Sequence, residues 1–307
     1  MTDAYGEKYI TTCGILMHSS LVVTSSGLPL GLGAIKFWTR DHFKGTNALK
    51  KKVNTTRIPI EQKESIRWLD NLRQSTDLLE DPKRCVHIGD RESDIYELFC
   101  AAEEVQTQFL FRTCVDRLAE DGNTLVSHEI SRIPVQGLVP LTVCYKDGTE
   151  SKVCLEVKYT TLTINPPFDK KKRYPTLEAT VIEARERGEP KGRDPIVWKL
   201  ITNLQVNSLA KAVEKLQWYA MRWKIETFHK ILKSGCRAED SRLRTAERLV
   251  NLISIFCILS WRIFWMTMLQ RINPNSKASL VFTKTEIGLL ARLIKKNGTA
   301  IRKPGNL

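Results

Sequence analysis

The period of apolar and polar positions changes several times along the chain, and each change marks a predicted element. Residues 12–40 predict a β-hairpin. Thr12 to Thr24 is rich in β-formers, Ser25-Ser26-Gly27 is a turn signal, and Leu28 to Trp38 resumes the strand pattern. Residues 41–57 are polar and basic, with Lys50-Lys51-Lys52, and read as a loop. Glu61 to Leu78 places Ile66, Leu69 and Leu72 at helical spacing. A short buried strand, Arg84 to Gly89, runs into Asp90-Arg91-Glu92-Ser93-Asp94. A helix follows from Ser93 to Glu103, with Ile95, Leu98, Phe99 and Ala102 on one stripe. Gln108 to Cys114 is a second buried strand. Strand, helix and strand at this spacing predict an α/β unit.

From 115 to 205 the pattern becomes β-rich. Leu138 to Tyr145, Ser151 to Ile164 and Leu177 to Glu183 are separated by Asp147-Gly148, Pro166-Pro167 and Gly188-Glu189-Pro190, which predicts an all-β insertion. Within it, Lys170 to Arg173 is a basic run, readable as a solvated loop or as a phosphate contact. Ile196 to Ile201 predicts a last strand. Ser208 opens a long helix to Lys233, ended by Gly235, and Arg242 to Leu269 is a second long helix. Its uncharged run, Leu249 to Trp261, is about 13 residues, short of a typical membrane span, so it reads as a buried helix. Asn273 to Ser276 is a linker, Thr283 to Lys296 a terminal helix, and the tail to Leu307 is basic.

Charge narrows the class of partner. Lys and Arg number 48 against 34 Asp and Glu, a net charge of +14, which points to a polyanion such as nucleic acid. Met1 to Ile10 carries Asp3, Glu7 and Lys8 and no apolar core, so it does not read as a secretory signal. No two of the eight cysteines form a CxxC pair, and the histidines do not complete a zinc pattern. Scattered single cysteines fit a reducing, cytoplasmic setting.

Two clusters carry candidate chemistry. Asp90 stands at the carboxyl end of a buried strand, where open α/β sheets place ligands; it is equally placed to cap the following helix. On the long helix, Tyr219, Arg222, Glu226, Lys230 and Lys233 recur at intervals of three and four, which predicts one shared face. That face reads either as a ladder of ordinary ion pairs or as a carboxylate flanked by phosphate-binding cations. Asp90 and Glu226 together could hold a divalent metal beside a phosphate. Two-metal phosphoryl transfer needs such hard oxygen ligands and a pair of Mg²⁺ ions about 4 Å apart.

The stretch Gly89 to Tyr96, the helical Tyr-Arg-Glu-Lys signature at Tyr219, Arg222, Glu226 and Lys233, and the hairpin segments Leu16 to Ser20 and Gly27 to Gly31 resemble the bacterial insertion-sequence cut-and-paste transposases of the DDE type. The resemblance covers roughly residues 12–270. It implies a ribonuclease-H-like α/β core in 1–114 and 196–270, a β-rich insertion in 115–195, and a C-terminal segment in 271–307 able to dimerise. It implies Asp90 and Glu226 as catalytic, metal-binding acids, with Mg²⁺ as cofactor and double-stranded DNA as partner. By the same resemblance Tyr219, Arg222, Lys230, Lys233 and Arg112 would contact DNA, and Trp198 and Trp223 would stack on a flipped base. The family's first acid lies on a central strand in an Asp-Thr-Thr-like context ahead of the hairpin. No such motif precedes His18, so the expectation is an N-terminally truncated chain with an incomplete two-metal site, inactive alone. Three other readings remain: a DNA-binding remnant or inhibitor of a full-length transposase, an unrelated basic α/β nuclease, and a plain interaction domain.

Overall fold

The computed structural model describes residues 14–39, 58–144, 150–190 and 192–296. The predicted loop at 41–57 and the basic tail lie outside these. The hairpin forms as expected from β1 (Leu16–Val23) and β2 (Pro29–Trp38), paired antiparallel as a separate two-stranded sheet. Its turn needs Gly27, whose φ is +84° and whose missing side chain leaves room for Lys224; a Cβ there would stand 2.7 Å from Lys224 Cε.

Next come helix α1 (Ile66–Leu79), strand β3 (Val86–Gly89), helix α2 (Tyr96–Glu104) and strand β4 (Gln108–Arg112). β3 and β4 pair in parallel, as the connecting helix requires. The segment read as an all-β insertion also holds a short helix. It contains β5 (Leu118–Ala119), β6 (Thr124–Leu125), α3 (Val126–Arg132), β7 (Gly137–Cys144), β8 (Glu150–Ile164) and β9 (Leu177–Glu186). Asp116 makes α3 possible at its start, where its carboxylate accepts from Ser127 N at 2.9 Å. Strand β10 (Val197–Thr202) lies between β4 and β9, so the insertion strands continue the sheet that β3 and β4 begin. The order is β3-β4-β10-β9-β8-β5-β6, with β7 on β8.

Alternation in β4 builds two cores from one strand. Phe109 and Phe111 face α1 and α2, and stack with Phe99 at centroid distances of 5.1 and 5.8 Å. Leu110 faces the other way, against Leu216 and Tyr219 of helix α4 (Leu209–Ala220).

The long helix predicted from Ser208 to Lys233 is interrupted. α4 passes through a 3-10 turn at Met221–Trp223 into α5 (Lys224–Lys230), then into a π turn at Ile231–Gly235. Tyr219 is buried while Glu226, Lys230 and Lys233 are exposed, so the five side chains do not share one solvent-facing surface. Helix α6 (Ala246–Ile272) runs against the hairpin, and α7 (Lys284–Lys296) closes the described chain. A reciprocal capping box starts α7: Thr283 N donates to Glu286 and Glu286 N donates to Thr283 Oγ1.

The expectation that α6 is buried is not met. Only Cys257, Ser260, Phe264 and Met268 are buried, while Ile255, Ile258, Leu259 and Ile263 are exposed. By length and composition α6 could cross a membrane, with 22% of its most apolar stretch buried. However, its buried face packs Phe228, Leu232, Met17 and Leu21, and Arg262 near its middle pairs with Glu286 at 2.6 Å. Those contacts belong to a helix docked on protein.

Candidate functional site

β3 is short because Gly89 ends it. A Cβ on Gly89 would collide with the Ser93 side chain, so only glycine lets the chain fold tightly into the turn that follows. Ser93 is fully buried, and its hydroxyl donates to Asp90 O at 2.6 Å. Asp90 Oδ1 accepts from Glu92 N at 3.0 Å, so Asp90 caps the 3-10 turn Arg91–Ser93 and not helix α2, whose N-cap, Ile95, provides no side-chain cap. Its second oxygen, Oδ2, points to Arg222 Nη1 at 3.8 Å. The same guanidinium donates through Nη2 to Glu226 Oε1 at 2.7 Å. One arginine thus stands between acids that are 136 residues apart in the chain. Burial works against the Arg222 charge. The Glu226 hydrogen bond, Tyr219 and the charges of Glu226 and Asp90 outweigh it and hold Arg222 above its ordinary pKa.

The turn is fixed from below by a buried ion pair. Asp94, with no exposed side-chain surface, meets Arg117 Nη1 at 2.5 Å. Asp94 Oδ2 also accepts from Thr113 Oγ1, Cys114 N and Val115 N. Arg117 lies 5.0 Å from the Phe99 ring centroid. These contacts tie the Asp90 turn to the end of β4.

Arg112 ends β4 half-buried and donates to Val197 O at 2.9 Å. The next residue, Trp198, meets Tyr219 edge-on at 5.4 Å. Arg112, on the neighbouring strand, is held through the backbone of Val197, and Trp198, Tyr219, Arg222, Asp90 and Glu226 form a connected group. Tyr219 is buried in it, not on the exposed face that its interval predicted. Trp223 is 48% exposed, with Lys224 Nζ 5.2 Å from its ring centroid. Lys230 is exposed at the end of α5, and Lys233, in the π turn, pairs with Glu239 at 2.8 Å. Lys230 shares α5 with Glu226, whereas Lys233 lies beyond it in the π turn.

Two histidines and a serine join the site that the chemistry of the sequence did not single out. His229 Nε2 and Ser19 Oγ are hydrogen-bonded at 3.0 Å, joining α5 to β1. His18 packs edge-on against Trp68 at 4.4 Å. Burial, Arg67 and His229 lower the His18 pKa to about 4, although Asp90 pulls the other way. Burial and Lys233 likewise lower that of His229, against the pull of Glu226. The signal for them was the His-Ser pair on a strand and a histidine three residues after Glu226.

As metal donors, the Asp90 and Glu226 carboxylates suit a hard divalent cation in kind. They fall short in number: among the described residues no group of three His, Cys, Asp or Glu side chains is arranged to hold a metal ion.

A family model described as the transposase DDE domain matches residues 159–261. The match takes in Trp198, Tyr219, Arg222, Glu226, Lys230 and Lys233, and leaves Asp90 and Arg112 outside. It supports a DDE-type transposase as the class of protein to which this chain is related.

Proposed function

We propose that this chain is a ribonuclease-H-like portion of a DDE-type DNA transposase of the Tyr-Arg-Glu-Lys kind, with Asp90 and Glu226 as two of its metal-binding acids. The observation that carries the reading is Arg222, which brings Asp90 from the end of β3 and Glu226 from α5 to a single guanidinium. A cation between two acids is what a metal-binding pair requires when no metal shields it. Divalent metal, when bound, supplies activation of the attacking oxygen and neutralisation of phosphate charge. The described donors are too few for that site, so no cleavage step is assigned to them.

The residues that are present bind and orient. Arg222 and Arg112 offer planar donors to phosphates, and Lys230 and Lys233 add exposed positive charge. Trp223 offers an open indole face for an extruded base, while Tyr219 backs the ring of Trp198.

We infer that a third acid would stand on a further strand, in a slot between β1 and β3. Among the described residues neither strand has a partner on its outer edge. Helix α1 reaches both: Asn71 Nδ2 donates to His18 O at 3.3 Å, and Thr76 Oγ1 meets His87 Nε2 at 3.0 Å. Strand edges are normally paired or covered. A further strand bearing the third acid, from outside the described residues, would fill the slot.

The test has two parts. The chain should bind duplex DNA with an affinity that falls steeply between low and moderate salt. It should bind Mn²⁺ weakly by calorimetry, with Asp90→Ala and Glu226→Ala each reducing that binding about tenfold or more. Salt-independent DNA binding, or metal binding indifferent to both substitutions, rejects the reading. Mg²⁺-dependent cutting by the chain alone would show that the acid set is already complete. The open slot also favours a second reading, a DNA-binding partner that inhibits a complete transposase. Added to an active full-length enzyme, such a chain lowers its turnover in proportion to the mixing ratio.

A further inference from the structure

The loop between β8 and β9 lies outside the Arg222 group, yet it is built as a contact surface. Residues 165–176 read Asn-Pro-Pro-Phe-Asp-Lys-Lys-Lys-Arg-Tyr-Pro-Thr. Phe168 is 86% exposed, a large apolar ring held in water. The loop holding it is pinned at many points. Tyr96 Oη lies 2.7 Å from Pro175 O and 3.1 Å from Ile164 O, and its one proton is shared between these acceptors at the two ends of the loop. Pro166 and Pro167 restrict the backbone leading into Phe168. Lys170 pairs with the buried Glu97, and Arg173 with Glu61 at 2.5 Å. Backbone bonds from Lys170 N to Pro167 O and from Tyr174 N to Lys170 O close the turn.

The basic run therefore divides by task. Lys170 and Arg173 fasten the loop to the helical layer. Lys171 and Lys172 are exposed and carry no ion pair among the described residues; Lys171 Nζ lies 5.6 Å from the Phe168 ring centroid. The loop is also linked to the Asp90 end of the sheet. Glu92, in the Asp90 turn, pairs with Arg67 on the first turn of α1 at 2.9 Å, and Glu61, just ahead of α1, holds Arg173.

We propose that this loop is a second DNA-contacting element. In it Phe168 stacks on a base left unpaired at a duplex junction, and Lys171 and Lys172 hold the flanking phosphates. The proposal rests on the DNA reading above. A stacking platform needs a rigid, exposed ring beside free cations, because every base has an aromatic face and every flanking phosphate a charge. An anionic lipid surface is the other polyanion that takes a ring and lysines. Surface insertion, though, draws on a broad apolar face, and here a single ring stands alone.

The experiment uses the full chain and two labelled DNAs with 2-aminopurine at one position: a continuous duplex, and the same duplex interrupted by an unpaired base. Wild type should bind the interrupted DNA more tightly and quench its 2-aminopurine. Phe168→Ala should abolish the quenching and cut affinity for the interrupted DNA about tenfold, leaving the duplex within about twofold. Phe168→Trp should restore both. Lys171→Ala with Lys172→Ala should weaken both DNAs and reduce the slope of log affinity against log salt by about two. Unchanged melting temperatures confirm that these surface variants fold. If wild type binds DNA and Phe168→Ala matches it on both probes, this inference is overturned while the DNA reading stands. If wild type binds neither DNA, the DNA reading itself fails. Binding to phosphatidylserine vesicles that needs Phe168, with DNA binding that does not, assigns the loop to a membrane surface instead.

Discussion

Gly89 leaves no space for a methyl group, and that single constraint sets where Asp90 stands. Gly89→Ala drives a Cβ into the buried Ser93 side chain and to 3.1 Å from Phe111. The turn must shift, at a cost of about 2 kcal/mol typical of overpacking. A denaturant midpoint reads the loss, and a midpoint unchanged from wild type would refute the collision. His87, two residues earlier, predicts a pH dependence. Its pKa is lowered to about 4 by burial, from an ordinary value near 6.5. The unfolded chain therefore binds a proton that the folded one refuses between those values. Stability is full above about pH 6.5 and falls as pH drops toward 4. His87→Gln keeps a hydrogen-bonding partner for Thr76 and should flatten the melting temperature across that window. The apolar strand around Val86-His87-Ile88 was legible in the sequence. The proton-averse histidine was not, because its burial comes from α1 packing over it.

At the scale of elements, the helix that bears Glu226 shows how far periodicity reaches. The intervals from Tyr219 to Lys233 predict a continuous face, and the Arg222–Glu226 pair obeys them. Tyr219 is instead buried under Trp198, and Lys233 is turned to Glu239 by the π turn. The turn follows from packing: Leu232 is buried against α6, and Cys236 Sγ lies 3.3 Å from Ser260 Oγ. Lys233→Ala breaks only an exposed pair, so stability should move by less than about 0.5 kcal/mol. If Lys233 contacts DNA, the salt slope of binding should fall by about one. An unchanged slope would remove Lys233 from the interface.

At the scale of the whole molecule, α6 and α7 present an apolar surface that is uncovered among the described residues. A groove of about 330 Å³ runs between them, lined in part by Leu259, Ile263, Phe282 and Leu289. Ile258, Leu290 and Leu293 are exposed around it. Patches of that kind mark interaction surfaces, and we predict a second copy of the chain as the occupant. Sedimentation velocity should show a dimer that Leu289→Glu with Leu293→Glu converts to monomer. A monomer at all concentrations tested would refute this interface.

What the sequence determined by itself was local. Alternation marked β1, β2 and the β-rich segment, and helical spacing marked α1 and α2, because each depends only on neighbours in the chain; the basic surplus pointed to a polyanionic partner. What tertiary structure decided was long-range. Arg222 joins two acids from distant elements, β10 merges the inserted strands with the β3–β4 sheet, and α6 shows apolar residues on its open side as well as its buried one. Periodicity records which residues are apolar, but it does not record what covers them. Burial, pairing and the breaks in the signature helix are set by partners far away in sequence, and only the folded chain brings those partners into contact.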